Sequence, residues 1–108
     1  MARTIATIQH GANIDANAVM EEWSRILTRE GYEQKLVKGE QCWSKGDGVL
    51  LQRQNFGIVF GENEIVLQAW MGDAILGESD LSGFIGKVPK KKMKKLLDEI
   101  ESAIKNRL

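Results

Sequence analysis

The chain has 108 residues, 43% of them hydrophobic and 28% charged, and its 15 basic side chains balance 15 acidic ones. This length predicts a single domain, residues 1–108, that buries a core without disulfide or metal support. One cysteine and one histidine exclude an internal disulfide and the usual kind of zinc site. No apolar run approaches the roughly 20 residues of a membrane span, and the start lacks the apolar block of a secretory signal, so we expect a cytoplasmic protein.

The first elements in the chain are a strand and a helix. Residues 3–9 are rich in β-branched side chains and predict a strand. Asp15 or Asn13 can cap a helix that runs to about Glu30, and Gly31 suits the left-handed residue that ends such a helix. The apolar residues of this helix recur on one face with a period of 3.6 residues: Val19, Met20, Trp23, Ile26 and Leu27.

Closely spaced strand candidates follow, which favours an antiparallel meander. They are Tyr32–Lys38, Cys42–Ser44 continued after the turn Lys45–Gly48 by Val49–Gln54, Phe56–Phe60 and Glu64–Met71. We expect a loop over Gly72–Gly86 and a helix that opens at Pro89 and runs to about Arg107. Its apolar stripe consists of Met93, Leu96, Leu97, Ile100 and Ile104.

The predicted element order is β-α-β-β-β-β-α. Two amphipathic helices need a common apolar surface, and one face of an antiparallel sheet provides it. We therefore predict an α+β protein, a two-layer sandwich of a five-stranded antiparallel sheet with two helices on one face.

Three segments carry a resemblance to known proteins: Trp43-Ser-Lys-Gly-Asp-Gly48, Gln68-Ala-Trp70 and the stretch from Glu78 to Lys91. With the element order, they resemble a single repeat of the TATA-box-binding-protein-like fold and small bacterial proteins of unassigned function. The resemblance implies the fold and no activity. The DNA-binding member of that fold has two tandem repeats, and its minor-groove residues do not map onto this chain.

The most unusual feature of the sequence is six lysines at the start of the last helix: Lys87, Lys90, Lys91, Lys92, Lys94 and Lys95. Residues 87–108 carry eight basic and three acidic groups, although a helix N-terminus already bears partial positive charge. One hypothesis is a phosphate or carboxylate site formed by Gly83, Gly86, Lys87, Lys90 and Lys91. A second is charge-driven binding of nucleic acid or an anionic membrane surface.

The bland alternative for the lysines is a solvated face that neutralises itself. Lys94–Asp98 and Lys95–Glu99 have the i, i+4 spacing of helical ion pairs, and Glu78 or Asp80 could fold back on the rest. The loop lacks the hydroxyl of a nucleotide-binding Gly-x-x-x-x-Gly-Lys-Ser/Thr motif, so nucleotide hydrolysis is not expected.

A second feature is the face of the sheet that the core does not use. In Glu64–Met71 one set of alternate residues is core-like, yet the opposite set also contains apolar side chains. Together with neighbouring strands it offers a candidate interface: Leu50, Val59, Val66 and Trp70. Either this strip is a homodimer interface, or the loop over residues 72–88, with Leu76, Leu81, Phe84 and Ile85, folds over it.

The remaining candidates for chemistry are few. Cys42 and His10 could form a nucleophile–base pair, but a lone Cys beside Trp43 is typical of a small buried side chain. Trp43 next to the turn Lys45–Gly48 could stack a base or sugar, or pack in the core. The sequence thus favours a non-enzymatic, self-associating binding module without a cofactor or metal, and the alternative is an anion-binding protein.

Overall fold

The computed structural model of the protein describes residues 3–11, 13–37, 39–46, 53–73, 77–82 and 87–108. The chain is an α+β protein with one antiparallel sheet and two helices. The strands are β1 (Thr4–Gln9), β2 (Glu33–Val37), β3 (Glu40–Lys45), β4 (Gln54–Phe60), β5 (Glu64–Asp73) and β6 (Gly77–Ser79), and the helices are α1 (Ala16–Arg29) and α2 (Lys87–Lys105).

The sheet has the strand order β1-β5-β4-β3-β2, and every neighbouring pair is antiparallel. β6 pairs with β5 beyond the end of β1, so it extends the same edge. The predicted α+β class and antiparallel pairing are confirmed. The predicted loop over Gly72–Gly86 is corrected at its first part, because β5 runs to Asp73 and Gly77–Ser79 is a strand. Backbone pairing with β5 defines this strand. Its Gly-Glu-Ser sequence contains no apolar residue from which a strand could be predicted.

Local signals set the ends of α1 as predicted. The Asp15 side chain accepts a hydrogen bond from the Ala18 backbone N–H at 3.1 Å, which satisfies one of the free donors at the helix start. Gly31 follows the helix with a φ of 86°, a left-handed conformation that costs glycine little. The buried residues of α1 include Val19, Trp23, Ile26 and Leu27, so the predicted apolar face is the one that packs.

α2 begins two residues before the predicted start, and Pro89 lies in its first turn, where a missing N–H costs no hydrogen bond. All five residues of its predicted apolar stripe are buried at 8% exposure or less. An ion pair joins α2 to α1, Arg29 with Glu99, and Arg107, two residues beyond the end of α2, pairs with Glu22 of α1.

One hydrophobic core joins both helices to the sheet. Alternate residues of β5 enter it, namely Ile65, Leu67, Ala69 and Met71. Phe56 of β4 lies at its centre, edge-to-face with Trp23 at 6.4 Å and with Tyr32 at 5.2 Å between ring centroids. Such pairs add about 0.5–1.5 kcal/mol beyond the area they bury.

Neither helix is both long enough and apolar enough, over the residues that the structure describes, to cross a bilayer.

Candidate functional site

The residues of β5 that alternate with the core residues lie on a face that we call the outer face, which also includes Ile5 and Thr7 of β1 and Val59 of β4. Of the predicted interface residues, Val59 is 51% exposed, Val66 is half-buried, and Trp70 is only 3% exposed. Leu50 lies outside the described residues. The apolar strip is therefore open at its Val59 end and covered at its Trp70 end.

Arg3 covers Trp70. Its guanidinium carbon lies 3.6 Å from the centroid of the Trp70 ring system, the arrangement of a cation–π contact. Of the residues in the alternative that the 72–88 loop covers the strip, Leu81 belongs to the core cluster instead, and Leu76, Phe84 and Ile85 lie outside the described residues. A polar side chain from the start of the chain thus closes this part of the outer face.

The guanidinium of Arg3 is held by side chains from three other strands. Its Nε and Nη2 donate to the two carboxylate oxygens of Glu78 at 2.9 and 2.8 Å, and its Nη1 and Nη2 donate to those of Glu40 at 2.7 and 2.8 Å. Nη1 also donates to Gln68 Oε1 at 2.9 Å. We call Arg3, Glu40, Gln68, Trp70 and Glu78 the arginine site.

Hydrogen bonding in the arginine site shifts two pKa values. The bonds to Glu40 and Glu78 raise the pKa of Arg3 above its already high ordinary value, so the guanidinium stays charged. The bond from Arg3 lowers the pKa of Glu40. The site is therefore a charged network at neutral pH, with two carboxylates on one cation.

Only Lys90 and Lys91 of the predicted anion-site residues have side chains among the described residues. Lys90 is 5% exposed, and its Nζ donates to the Ser82 carbonyl oxygen at 2.8 Å. Lys91 is exposed. Gly83, Gly86 and the side chain of Lys87 lie outside the described residues. Lys90 thus ties the segment before α2 to the helix, and its ammonium group already has a partner.

The predicted self-neutralisation of the lysines is wrong in its details. Among the described residues, neither Lys94–Asp98 nor Lys95–Glu99 forms an ion pair. The Glu99 carboxylate instead accepts both Nη1 and Nη2 of Arg29 at 2.8 and 2.9 Å, which lowers its pKa.

The two acids before the helix are also engaged elsewhere. Glu78 binds Arg3. The Asp80 carboxylate accepts a hydrogen bond from the Ser82 hydroxyl, and this bond, followed by one from the Ser82 backbone N–H, lowers the pKa of Asp80. Lys90 contributes only the smallest of the influences on that pKa. The described part of the α2 start therefore keeps a local excess of positive charge.

A cavity of about 360 Å³ lies beside these lysines, and we call it the lysine cavity. Three parts of the fold meet at this cavity. They are the ends of strands at one end of the sheet, the turn after α1, and the first turns of α2. Its lining residues are Glu30, Tyr32, Lys45, Gln54, Pro89, Lys92 and Leu96.

Two lysine residues from different elements line the lysine cavity. Lys45, at the end of β3, donates to the Glu30 carbonyl oxygen at 3.0 Å and lies 5.3 Å from the centroid of the Tyr32 ring. Lys92 comes from the second turn of α2, and both lysines are exposed. The Glu30 carboxylate accepts from Arg29 Nε at 2.9 Å, so its charge is partly neutralised.

The Tyr32 hydroxyl is a neutral part of the same lining. It donates to Gln54 Oε1 at 3.0 Å. Burial, and secondarily the Glu30 charge, raise the pKa of the phenol well above its ordinary value, so the ring adds no negative charge to the cavity. The Gln54 side-chain carbonyl is used by this bond, which leaves its amide N–H groups as the donors of that side chain.

The other candidates for chemistry lie apart. His10 follows β1 and Cys42 is in β3, and β5 and β4 lie between those strands in the sheet. Neighbouring strands lie about 4.8 Å apart, so His10 and Cys42 are too far from each other to form the nucleophile–base pair. Burial raises the pKa of the Cys42 thiol, and Trp43 is half-buried against the core, as its structural interpretation predicts.

Sequence reasoning missed Arg3, Lys45 and Lys92 as site residues. Only the sheet register brings Arg3 to Glu40 and Glu78, over separations of 37 and 75 residues. For Lys90 a signal was present, because it precedes Met93 by three and Leu97 by seven residues and so lies on the apolar stripe of α2.

No group of three or more His, Cys, Asp and Glu side chains within the described ranges is placed to hold a metal ion. Comparison of the chain with protein-family models, curated proteins and solved structures gave no match.

Proposed function

We propose that the protein is a binding module for a small anionic molecule, which it holds in the lysine cavity through a phosphate or carboxylate group. The observation that carries this proposal is a cavity of about 360 Å³ into which Lys45 and Lys92 bring positive charge from two elements. Small-molecule sites commonly have volumes of about 300–1,000 Å³.

Local electrostatics support an anion over a cation. The first turn of α2 contains no acidic residue, and its free N–H groups carry partial positive charge. The nearest acidic side chain of the lining, Glu30, is paired with Arg29, and Arg29 also engages Glu99. A ligand anion would offset the electrostatic repulsion among the lysines. Without a ligand, only solvent screens this repulsion.

The rest of the lining suits a ligand with a less polar body. Tyr32, Pro89 and Leu96 provide apolar surface, while Gln54 provides amide donors for orientation. This mixture of apolar walls and a few convergent polar groups is typical of small-molecule sites.

The proposal is tested by calorimetric titration of the whole chain with inorganic phosphate and with pyrophosphate in low-salt buffer. Lys92→Ala should weaken binding about tenfold, which is about 1.4 kcal/mol. Lys95→Ala is the matched control, since it removes the same charge from an exposed position of α2 outside the cavity. Equal losses in the two variants would indicate diffuse attraction and no site, and absence of binding by the wild type would refute the proposal.

A second candidate function is self-association through the open part of the outer face. Ile5 is 60% exposed and Val59 is 51% exposed, and between their strands Val66 is half-buried. Exposed apolar side chains on adjacent strands are typical of a surface that meets a partner, and a two-fold dimer would use the same patch on both copies.

Sedimentation velocity at several protein concentrations tests the dimer. Val59→Asp should give a monomer, whereas Leu36→Asp, at a side chain that is 65% exposed on the edge strand β2, should leave the dimer intact. Trp70 is unsuitable for this test because Arg3 already covers it. A monomeric wild type would refute self-association.

For the architecture, we propose the two-layer arrangement with both helices on one face, as in a single repeat of the TATA-box-binding-protein-like fold. Its support is that Trp23, Ile100 and Leu67 share one core cluster, while Val66 and Trp70 lie outside it. Nuclear Overhauser contacts from both helices to Leu67, and none to Val66, are the expected solution result; helix contacts to Val66 would overturn it.

A further inference from the structure

We propose that the outer face carries a guanidinium-binding site, formed by Glu40, Gln68, Trp70 and Glu78, whose resident ligand is Arg3 of the same chain. This site is separate from the lysine cavity and is independent of the function proposed for it. The ligand class is a planar guanidinium group, as in an arginine side chain.

The first support is complete recognition of the guanidinium. An arginine side chain has five N–H donors, and the five hydrogen bonds from Nε, Nη1 and Nη2 of Arg3 use all of them at 2.7–2.9 Å. Two carboxylates each receive two of these bonds in a fork geometry, which a lysine ammonium cannot reproduce. The site therefore matches a guanidinium in shape as well as in charge.

The second support is the floor of the site. Trp70 lies beneath the guanidinium carbon at 3.6 Å and is 3% exposed. The ring lies over Gly57 of the neighbouring strand, where a Cβ would be at ordinary contact distance, 3.4 Å, from the ring edge. The indole is thus held flat between the sheet and the cation, where one face can accept a cation–π contact.

The wall residues of the site come from strands other than β1, which follows Arg3 in the chain. Gln68 and Trp70 belong to the interior strand β5, Glu78 belongs to β6 and pairs with Gly72, and Glu40 begins β3. Asn55, the register partner of Trp70, fixes the neighbouring backbone, since its Nδ2 donates to the Gly72 carbonyl oxygen at 2.8 Å while its Oδ1 accepts from Ser44. We infer that the site persists when the guanidinium leaves it.

The two carboxylates of an empty site would favour the binding of a cation. Glu40 and Glu78 approach the same group from two sides, so without Arg3 two carboxylates face each other beside an apolar ring. Arg3 comes directly before the edge strand β1. Its side chain can therefore leave the site without disrupting the pairing between the strands of the sheet. A guanidinium from another molecule can then take its place.

Chemical rescue tests the proposal in the full-length chain. Arg3→Ala should lower the Tm by about 5 °C or more, and methylguanidinium at low millimolar concentration should restore part of that loss. Methylammonium, which has the same charge and no planar fork, should not restore it. The wild type, whose site is filled, should show no gain from either cation.

Arg3→Lys provides a second test that keeps the charge and serves if Arg3→Ala folds poorly. Its Tm should lie nearer that of Arg3→Ala than that of the wild type, and methylguanidinium should raise it. Adding Glu78→Gln to either variant should abolish the rescue. Equal responses to methylguanidinium and methylammonium, or an unchanged Tm in both Arg3 variants, would overturn the proposal.

Discussion

The two carboxylates on Arg3 differ in burial, and this difference predicts unequal coupling energies. In the Arg3–Glu78 pair the side chains are 12% and 13% exposed, whereas Glu40 is 47% exposed. The perturbations are Arg3→Gln, Glu78→Gln and Glu40→Gln, alone and in the two double mutants that contain Arg3→Gln.

The magnitudes follow from that exposure. Removing one partner of a buried ion pair costs about 3–5 kcal/mol, because the other charge stays desolvated. Since the arginine site lies at the surface, we expect Arg3→Gln to cost about 3 kcal/mol, at the low end of that range. Coupling of Arg3 with Glu78 should be about 2 kcal/mol, and coupling with the more exposed Glu40 should be about 0.5–1 kcal/mol.

Urea unfolding followed by circular dichroism measures these free energies. The slope of the unfolding free energy against urea concentration should be the same in every variant, since the surface exposed on unfolding hardly changes. Equal coupling energies for the two carboxylates would refute the reasoning from burial. Coupling near zero for both would show that the hydrogen-bonded network does not stabilise the fold.

Three further predictions concern single groups. Phe56→Ala should cost about 3–5 kcal/mol in urea unfolding, because it leaves a cavity at the core centre; a loss below about 1 kcal/mol would contradict that placement. Because Arg3 lowers the pKa of Glu40 below its usual 4.5, this carboxylate stabilises the fold above that value, and the stabilisation is lost as pH falls through the folded-state pKa. Wild type should therefore lose more stability than Arg3→Gln from about pH 6 to about pH 3, and parallel curves would argue against the link. Lys90→Met should lower the free energy of unfolding by about 1–3 kcal/mol, because it removes the hydrogen bond to Ser82. It should leave phosphate affinity within about twofold of that of the wild type. A tenfold weaker affinity would show that Lys90 takes part in anion binding.

The fold was largely predictable where local chemistry decides it. Asp15 and Gly31 mark the ends of α1, and their roles need only the hydrogen-bonding and φ requirements of helix ends. Alternation in β5 likewise identifies Leu67 and Ala69 as core residues. The short β6 could not be predicted, because its position depends on pairing with β5 rather than on its own side chains.

The candidate sites were less predictable because they depend on which strands meet. Counting lysines identified the charged start of α2, but the residues differ in role by helical position: Lys90 is buried and Lys92 lines the cavity. The apolar strip was recognised from alternation, yet the cover of Trp70 comes from Arg3, far away in sequence. Such contacts follow from register, which local sequence patterns do not specify.

Nuclear magnetic resonance mapping of phosphate binding distinguishes a site in the lysine cavity from diffuse attraction to the lysines. In a titration of the labelled chain with inorganic phosphate, we expect saturable amide shifts at Tyr32, Lys45, Gln54 and Lys92, which line the lysine cavity. Lys92→Ala should abolish them. Shifts spread evenly over the exposed lysines of α2, or no saturable shifts at all, would contradict the assignment of the cavity as an anion site.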